Sequence, residues 1–588
     1  MMSLSFENLS KSYAGKTVFE NINGKIYAGD RIGLIGTNGV GKTTLVKLLA
    51  GKESRDSGSI RYPSSLKIFY GEQYPQFVEG ASVYELVYET IAANSSNFKL
   101  KDSKEIAALA KKSLNNISLG SELWEQQAEK LSGGEKTKLM LCKVMVSDFD
   151  LLILDEPTNH LDMESCQQLE DYLNSLDKTI LIISHDRYFL DHVVNKIWEL
   201  TPKELREYAG NYSDYKTQKG NEEKNLQKEY EKQEARIQEL ERMINDRKNW
   251  YASAHKSAGQ HDFYRAKAKK HSSVMKAKKR ELERLENNRI AKHPKAVSPA
   301  FEIINKGFAD KKLPPVLVRV QNLSKNFGNR IILQNVSLDI KRGDKIALLG
   351  ANGVGKTTLL KMIINLDQDY QGTVTMNPSL KLGYFTQELS DLNNDTTILD
   401  EVLTRGGVRV DEARLLLACL LFRGNDVYKK IGNLSMGEKC RVIFAKLILS
   451  APDLLILDEP TNYLDIISRE KIEEVLEDFR GSMFFVSHDR SFTQRLANRI
   501  FLLQNQRIKC YDGNYEYYLA KREKESLQAK VGVDFAQISN NIRRLELELA
   551  FLSGKLAEPL AEEEKEQFNQ EFIRVVKELN TYKALLKA

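Results

Sequence analysis

Gly36-Thr-Asn-Gly-Val-Gly-Lys-Thr43 follows the apolar run Arg31–Ile35, and 314 residues later Gly350-Ala-Asn-Gly-Val-Gly-Lys-Thr357 follows Lys345–Leu349. Both fit G-x-x-x-x-G-K-[ST]. Gly36, Gly39 and Gly41, and likewise Gly350, Gly353 and Gly355, let backbone N–H groups close round a phosphate. Lys42 and Lys356 can then reach the β/γ oxygens, and the hydroxyls of Thr43 and Thr357 suit Mg²⁺. Asn38, Thr44, Asn352 and Thr358 complete the two loops as candidate nucleotide contacts. Helices are expected to leave each loop at Lys42 and Lys356, which gives the strand, loop, helix context that the motif needs.

The same neighbours flank both loops. Strands are expected at Ser3–Glu7 and Val316–Gln321, each followed by an aromatic, Tyr13 or Phe327. Downstream come Phe69-Tyr-Gly-Glu-Gln73 and Gly383-Tyr-Phe-Thr-Gln387, still 314 apart. Leu131-Ser-Gly-Gly-Glu135 and Leu434-Ser-Met-Gly-Glu438 are 303 apart, as are the buried-strand runs Leu151–Asp155-Glu156 and Leu454–Asp458-Glu459. Both acidic runs continue Pro-Thr-Asn-x-Leu-Asp to Asp162 and Asp465. Ile183-Ser-His185-Asp and Val486-Ser-His488-Asp close the two copies. The change of offset puts 11 extra residues in the first copy between Gln73 and Ser132, read as a longer loop or another helical turn. One such motif can arise by chance; an ordered set repeated twice predicts a duplicated ATPase.

The set resembles the ATP-binding-cassette superfamily, whose Leu-Ser-Gly-Gly-Glu signature separates it from other phosphate-loop ATPases. Two cassettes in tandem, both Asp-Glu-Pro-Thr-Asn-x-Leu-Asp runs, a charged linker, and Tyr208-Ala-Gly-Asn-Tyr212 with Tyr511-Asp-Gly-Asn-Tyr515 resemble the ABC-F group. The resemblance implies an α/β fold: two ABC-type nucleotide-binding domains joined by an α-helical hairpin, with a C-terminal α-helical hairpin. The boundaries read as 1–215, 216–312 (tip about 250–264), 313–518 and 519–588.

The resemblance also implies the site roles. Asp155 and Asp458 hold Mg²⁺ with Thr43 and Thr357, and Gln73 and Gln387 complete the shell of metal and water. Glu156 and Glu459 orient or deprotonate the attacking water, His185 and His488 meet the γ-phosphate, and Tyr13 and Phe327 stack on adenine. The cassettes face head to tail, so Lys42 shares its ATP with Ser435 and Gly437, and Lys356 with Ser132, Gly133 and Gly134. Met436 departs from the family's glycine and argues against equal turnover at the two sites.

Composition narrows the class further. Across 588 residues, 41% are hydrophobic and the net charge is +6, so partner arguments rest on where charge lies rather than on its total. The five cysteines show no metal-ligand spacing and read as reduced thiols of a cytoplasmic protein. No signal peptide is expected, and no run approaches the ~20 apolar residues of a membrane span.

Tyr251 to Arg280 carries nine basic residues and one acid, a charge of +8 that exceeds the whole chain's. Ile237, Leu240 and Ile244 on one arm and Leu282 and Leu285 on the other predict antiparallel helices, with a turn in Ala252–Gln260 and a first helix of about 30 residues, ~45 Å long. A solvated spacer is the ordinary meaning of such a run. One-signed charge interleaved with aromatics points instead to RNA: Trp250, Tyr251, His255, Lys256, Phe263, Tyr264, Arg265, Lys267, Lys269 and Lys270. The ABC-F resemblance implies that the partner is the ribosome. The linker would approach 23S rRNA and the P-site tRNA from the tRNA exit site, and the resistance-type members protect against drugs bound there. A housekeeping translation factor, or the ATPase subunit of a membrane exporter, are the alternatives. The protein is expected to work as one chain, its cassettes forming an intramolecular pair. At the end, Ile542 to Leu556 and Phe568 to Leu586 step in heptads about a turn near Pro559.

Overall fold

The computed structural model describes residues 2–94, 102–117, 119–159, 161–257, 262–289, 301–305, 314–386, 392–404, 408–556 and 562–585. The chain divides into two units, one of residues 1–496 with 502–509, the other of 497–501 with 510–588.

In the first cassette the strands are β1 (Met2–Tyr13), β2 (Lys16–Tyr27), β3 (Arg31–Ile35), β4 (Ser57–Arg61), β5 (Ile68–Gly71), β6 (Leu151–Asp155), β7 (Thr179–Ile183), β8 (Lys196–Leu200) and β9 (Leu205–Ala209). They form an antiparallel sheet, β2-β1-β4, and a six-stranded sheet, β5-β6-β7-β3-β8-β9, parallel except for β8 with β9. Every residue of β6 and β7 is buried. Strands covered on both faces read as unbroken apolar runs, which is why Leu-Leu-Ile-Leu is recognisable. Alternate side chains serve opposite faces: Ile153, Leu181 and Leu34 join one core, Leu152, Leu154 and Ile182 the other.

The second cassette repeats the plan with β10 (Val316–Phe327), β11 (Arg330–Lys341), β12 (Lys345–Leu349), β13 (Gln371–Met376), β14 (Leu382–Phe385), β15 (Leu454–Asp458) and β16 (Ser482–Val486). Here β11-β10-β13 is the antiparallel sheet, and β14-β15-β16-β12 run parallel in that order. The opening strands are longer than expected and carry Tyr13 and Phe327 at their ends, because each pairs with two neighbours through several register shifts. The 11 extra residues of the first copy lie among longer helices. Val83–Ala93 and Ser103–Asn116 have 11 and 14 residues, against 6 and 10 for Ile398–Leu403 and Val410–Cys419.

The linker departs from the expected boundaries. Its first helix runs from Tyr212 to Ser257, 46 residues, and the second from Asp262 to Asn287, 26 residues. The first begins before residue 216 because Tyr212 and Tyr215 are buried in the cassette core, with Tyr208 edge-on to Tyr215. It also passes through Ala252–Ser257, the first part of the stretch expected to turn, where alanine, lysine and serine continue a helix at small cost; residues 258–260 of that stretch lie outside the described residues. At 1.5 Å per residue the helix is about 69 Å long rather than ~45 Å. Ile237, Leu240 and Ile244 are buried in the hairpin seam, and Arg236–Glu281 and Arg289–Glu234 tie the helices at 2.8 and 2.7 Å.

In the second unit, Tyr515–Leu556 and Glu562–Leu585 form the C-terminal helical pair, so its first helix starts ahead of residue 519. Leu545, Leu552, Val575 and Leu579 are buried along the predicted seam, with Ile542, Leu549, Phe568 and Phe572 against them. Pro559 and Leu586 lie outside the described residues, as does the side chain of Tyr582.

Candidate active site

Parallel neighbours β6, β7 and β3 end at one edge, so their C-terminal residues meet there. That edge gathers the Gly36–Thr43 loop, Asp155, Glu156 and His185; β15, β16 and β12 do the same for the second set. Gly41 and Gly355 cap the helices Lys42–Leu49 and Lys356–Ile363 with φ of 102° and 104°. A Cβ at Gly41 would collide with Val18 and Phe19, and one at Gly355 with Ile332. Gly39 and Gly353, at the loop crests, are also left-handed with φ of 78° and 73°, but a Cβ on either would meet open space. Gly353 lines the cavity described below; Gly39 is not among the residues lining that cavity, because its loop belongs to the other set. The expectation that Gly39 meets nucleotide therefore rests on its place in the motif and on its equivalence to Gly353. Lys42 Nζ donates to the carbonyls of Gly36 and Thr37 at 2.8 and 3.2 Å, and Lys356 Nζ to those of Gly350 and Ala351 at 2.8 and 3.0 Å. Burial pushes both ammonium pKa values down, opposed by the carboxylates nearby.

Past each acidic strand the chain turns abruptly. Glu156 and Glu459 have φ of 50° and 49°, a left-handed backbone uncommon for glutamate. The amide of Glu156 donates to the Ile183 carbonyl at 2.9 Å and that of Glu459 to Val486 at 3.0 Å. In return His185 and His488 donate their amides to the glutamate side chains at 3.2 and 3.3 Å. The imidazole Nε2 of each histidine stands 3.3 Å from the glutamate's Oε1. Burial, reinforced by Asp155, pushes the Glu156 carboxyl up to about 7; burial, reinforced by Asp489, does the same for Glu459. Burial also keeps both imidazoles neutral, His488 being lowered to about 3 and His185 well below its usual value, aided by Lys356 and Lys42 respectively.

Both Asp155 oxygens are buried without a hydrogen bond of good geometry, although the Thr43 hydroxyl lies close enough to favour the charged form. Asp458 accepts from Thr357 Oγ1 at 3.3 Å, and burial raises its pKa to about 6. Hydroxyl and carboxylate oxygens converging in this way fit Mg²⁺. Gln73 is half-buried just beyond β5, and Gln387 lies outside the described residues.

Ser132 and Ser435 cap the helices Gly133–Met145 and Met436–Leu449, each in a reciprocal box with Glu135 or Glu438, and both serines are exposed. A single cavity of about 1020 Å³ is lined by Ser132, Gly133 and Gly134 of the first cassette. From the second come Phe327, Asn352, Gly353, Gly355, Lys356, Thr357, Thr358, Asp458, Glu459 and His488. The Lys42 loop faces the other way across the molecule. Asn38 donates its amide to Asp465 at 3.2 Å and its Nδ2 to the Tyr463 carbonyl at 3.1 Å, and a Cβ on Gly437 would lie 3.7 Å from that Nδ2. Met436 occupies the position of Gly133 and is 47% exposed. Tyr13 and Phe327 are 46% and 54% exposed, with Lys11 and Lys325 above their rings at 5.1 and 5.0 Å.

The cassettes are joined both by motif residues and by pairs that carry no motif of their own. Asp162 accepts from the Asn352 amide at 3.3 Å, mirroring Asp465 and Asn38. Arg490 binds Glu170 at 2.9 Å, and the equivalent Arg187 binds Glu473; all four side chains are buried. Their common offset of 303 residues is the signal in sequence that could have found them. The linker side chains expected to meet RNA, Trp250, Tyr251, His255, Lys256, Phe263, Tyr264, Arg265, Lys267, Lys269 and Lys270, lie outside the described residues, although their backbones fall in the two linker helices.

Two phosphate loops, each turned toward the opposite cassette, define an ATP-binding-cassette ATPase. The ABC transporter family profile matches residues 19–159 and 333–462, and a second ABC transporter profile matches 198–302. The putative ATP-binding protein YdiF of Bacillus subtilis is 35% identical over 560 residues, covering 89% of this chain and 84% of that protein. The ribosome protection protein VmlR of the same organism is 34% identical over 515 residues, covering 86% and 87%. ABC transporter F family member 5 of Arabidopsis thaliana is 31% identical over 557 residues, covering 88% and 77%. The chain belongs to the ABC-F family. Among solved structures, the RNase-L inhibitor shares the fold with a TM-score of 0.57 at 18% identity, covering 86% of this chain and 90% of its own. Among the described residues, no helix is long and apolar enough to cross a membrane.

Proposed function

We propose that this ATPase is a ribosome-binding clamp of the resistance type. The observation that carries the clamp is the cavity that joins the Lys356 loop to Ser132–Gly134 of the other cassette. ATP there bridges the halves: Lys356 counters phosphate charge, Ser132 and Gly134 close on it from the opposite side, and Phe327 offers a face to adenine. The Lys42 site is built likewise, with Gly39 in the phosphate loop, Tyr13 at adenine, and Ser435 and Gly437 across. Asp155 with Thr43, and Asp458 with Thr357, would hold Mg²⁺, with Gln73 and Gln387 completing the shell. When bound, Mg²⁺ neutralises phosphate charge. Glu156 and Glu459 take up the proton of the attacking water, for which a carboxyl pKa near 7 is suited. Neutral His185 and His488 hydrogen-bond the γ-phosphate. Hydrolysis removes the bridge, and the cassettes part.

The partner reading rests on the +8 linker segment and on likeness to a protein named for ribosome protection. With ATP bound, the clamp enters the tRNA exit site and the linker tip contacts 23S rRNA and P-site tRNA near the peptidyl-transferase centre. From there it protects against lincosamides, pleuromutilins and streptogramin A. The protein acts in the cytoplasm as a single chain. Glu156→Gln combined with Glu459→Gln is expected to pellet with ribosomes in ATP and to block translation; pelleting no better than wild type overturns the ribosomal reading. Expression in a drug-sensitive bacterium should raise inhibitory concentrations of these drugs. Unchanged values would leave the second reading, a housekeeping translation factor.

A further inference from the structure

The helices Met163–Ser175 and Ile466–Asp478 follow the two capping aspartates and are equivalent at an offset of 303. Their glutamates, Glu170 and Glu473, take up equivalent arginines from the other cassette. Among the positions at which the two helices differ in charge, Cys166 of the first is equivalent to Arg469 of the second. Cys166 packs among Leu161, Leu169 and Phe189 in the apolar core. Arg469 is buried, its Nε donating to the Leu464 carbonyl at 3.1 Å and its Nη1 to Asp489 Oδ2 at 3.2 Å. Those two partners belong to its own cassette. Nη1 also donates to the His185 carbonyl of the first cassette at 3.1 Å.

That carbonyl belongs to the residue whose amide holds Glu156, so the arginine is one residue's length of main chain from the glutamate's anchor. A thiol at position 166 has neither the reach nor the donors to hold the carbonyl of His488 in return. We propose that Arg469 is a positioning residue supplied in trans to the Lys42 site, fixing the His185 main chain, and through it Glu156, when the cassettes are closed. Arg469 also lines the Lys356 cavity in cis, beside Asp489, and its charge acts on Glu459 as on Glu156. But the Lys356 site receives no equivalent arginine across the interface, so the two sites differ in how far their hydrolytic geometry depends on the opposite cassette. This rests on the reading of Glu156 and Glu459 as the groups that act on water.

The test uses the full chain and two backgrounds. Glu459→Gln leaves hydrolysis to the Lys42 site, and Glu156→Gln leaves it to the Lys356 site. Arg469→Met is expected to lower kcat about 10- to 100-fold in the first background, the range for a misplaced catalytic group. In the second background it should lower kcat at least about tenfold less, which a shared folding defect would not do. Arg469→Lys should recover part of the loss, because an ammonium can still donate to the carbonyl. Equal losses in both backgrounds, or a larger loss at the Lys356 site, overturn the inference. If Arg469→Met does not fold, Arg469→Gln and Arg469→Lys carry the same comparison. The Glu156→Gln, Glu459→Gln double variant is assayed first; turnover at the wild-type rate would overturn the glutamate assignment itself, before Arg469 is touched.

Discussion

Gly355 shows how one atom would disturb an ATP site. At φ 104°, a side chain pays the left-handed penalty of about 1–2 kcal/mol before its collision with Ile332 is counted. Gly355→Ala is therefore expected to weaken ATP binding at its own site by about tenfold, since 1.4 kcal/mol is a factor of ten; titration with a fluorescent ATP analogue measures it. Cysteines supply a second residue-scale expectation. Cys142, Cys166, Cys419 and Cys440 are buried and Cys510 is exposed, and burial raises the thiol pKa values of Cys142 and Cys440 to about 12. An alkylating reagent should label Cys510 in the native chain and all five thiols in denaturant; native labelling of Cys142 would contradict this packing. Residue identities in the phosphate loops were legible because each is demanded by a local backbone need. The turn at Glu156 was not: nothing local to Asp-Glu-Pro announces φ of 50°, which is imposed by the amide's bond to β7.

At the scale of elements, helix starts carry both stability and chemistry, and the two can be separated. Ser82 caps Val83–Ala93 in a box with Glu85, just as Ser132 caps Gly133–Met145 with Glu135, but only Ser132 lines the ATP cavity. Ser82→Ala should lower stability by about 1 kcal/mol, the usual value of an N-cap, and leave ATPase activity alone. Ser132→Ala should cost a similar amount and also slow hydrolysis at the Lys356 site. Thermal unfolding paired with turnover in the Glu156→Gln background distinguishes them. Strands β3, β6, β12 and β15 were readable as apolar runs leading into motifs. Helix limits were harder to see, because small polar residues such as Ala252–Ser257 suit a turn or a helix equally, and flanking packing decides.

Over the whole molecule, buried ion pairs hold the cassettes together. Arg187 and Glu473 come from opposite cassettes, and burial pushes the Glu473 carboxyl up even beside the guanidinium. Arg187→Met should be strongly destabilising, about 3–5 kcal/mol, because it strands a buried carboxylate; adding Glu473→Leu should recover much of the loss. Thermal scans of single and double variants decide whether the pair behaves so. These contacts were invisible to motif reading, since the partners are 286 residues apart and neither belongs to a nucleotide motif. The long first linker helix has one more consequence. Rooted by Tyr212 and Tyr215 in the first cassette's core, it is a lever arm with its fulcrum at the ATPase. Over about 69 Å, each degree of rotation at the root swings the far end through about 1 Å. Cassette movements too small to be seen at the nucleotide would become displacements the size of an atom at the tip.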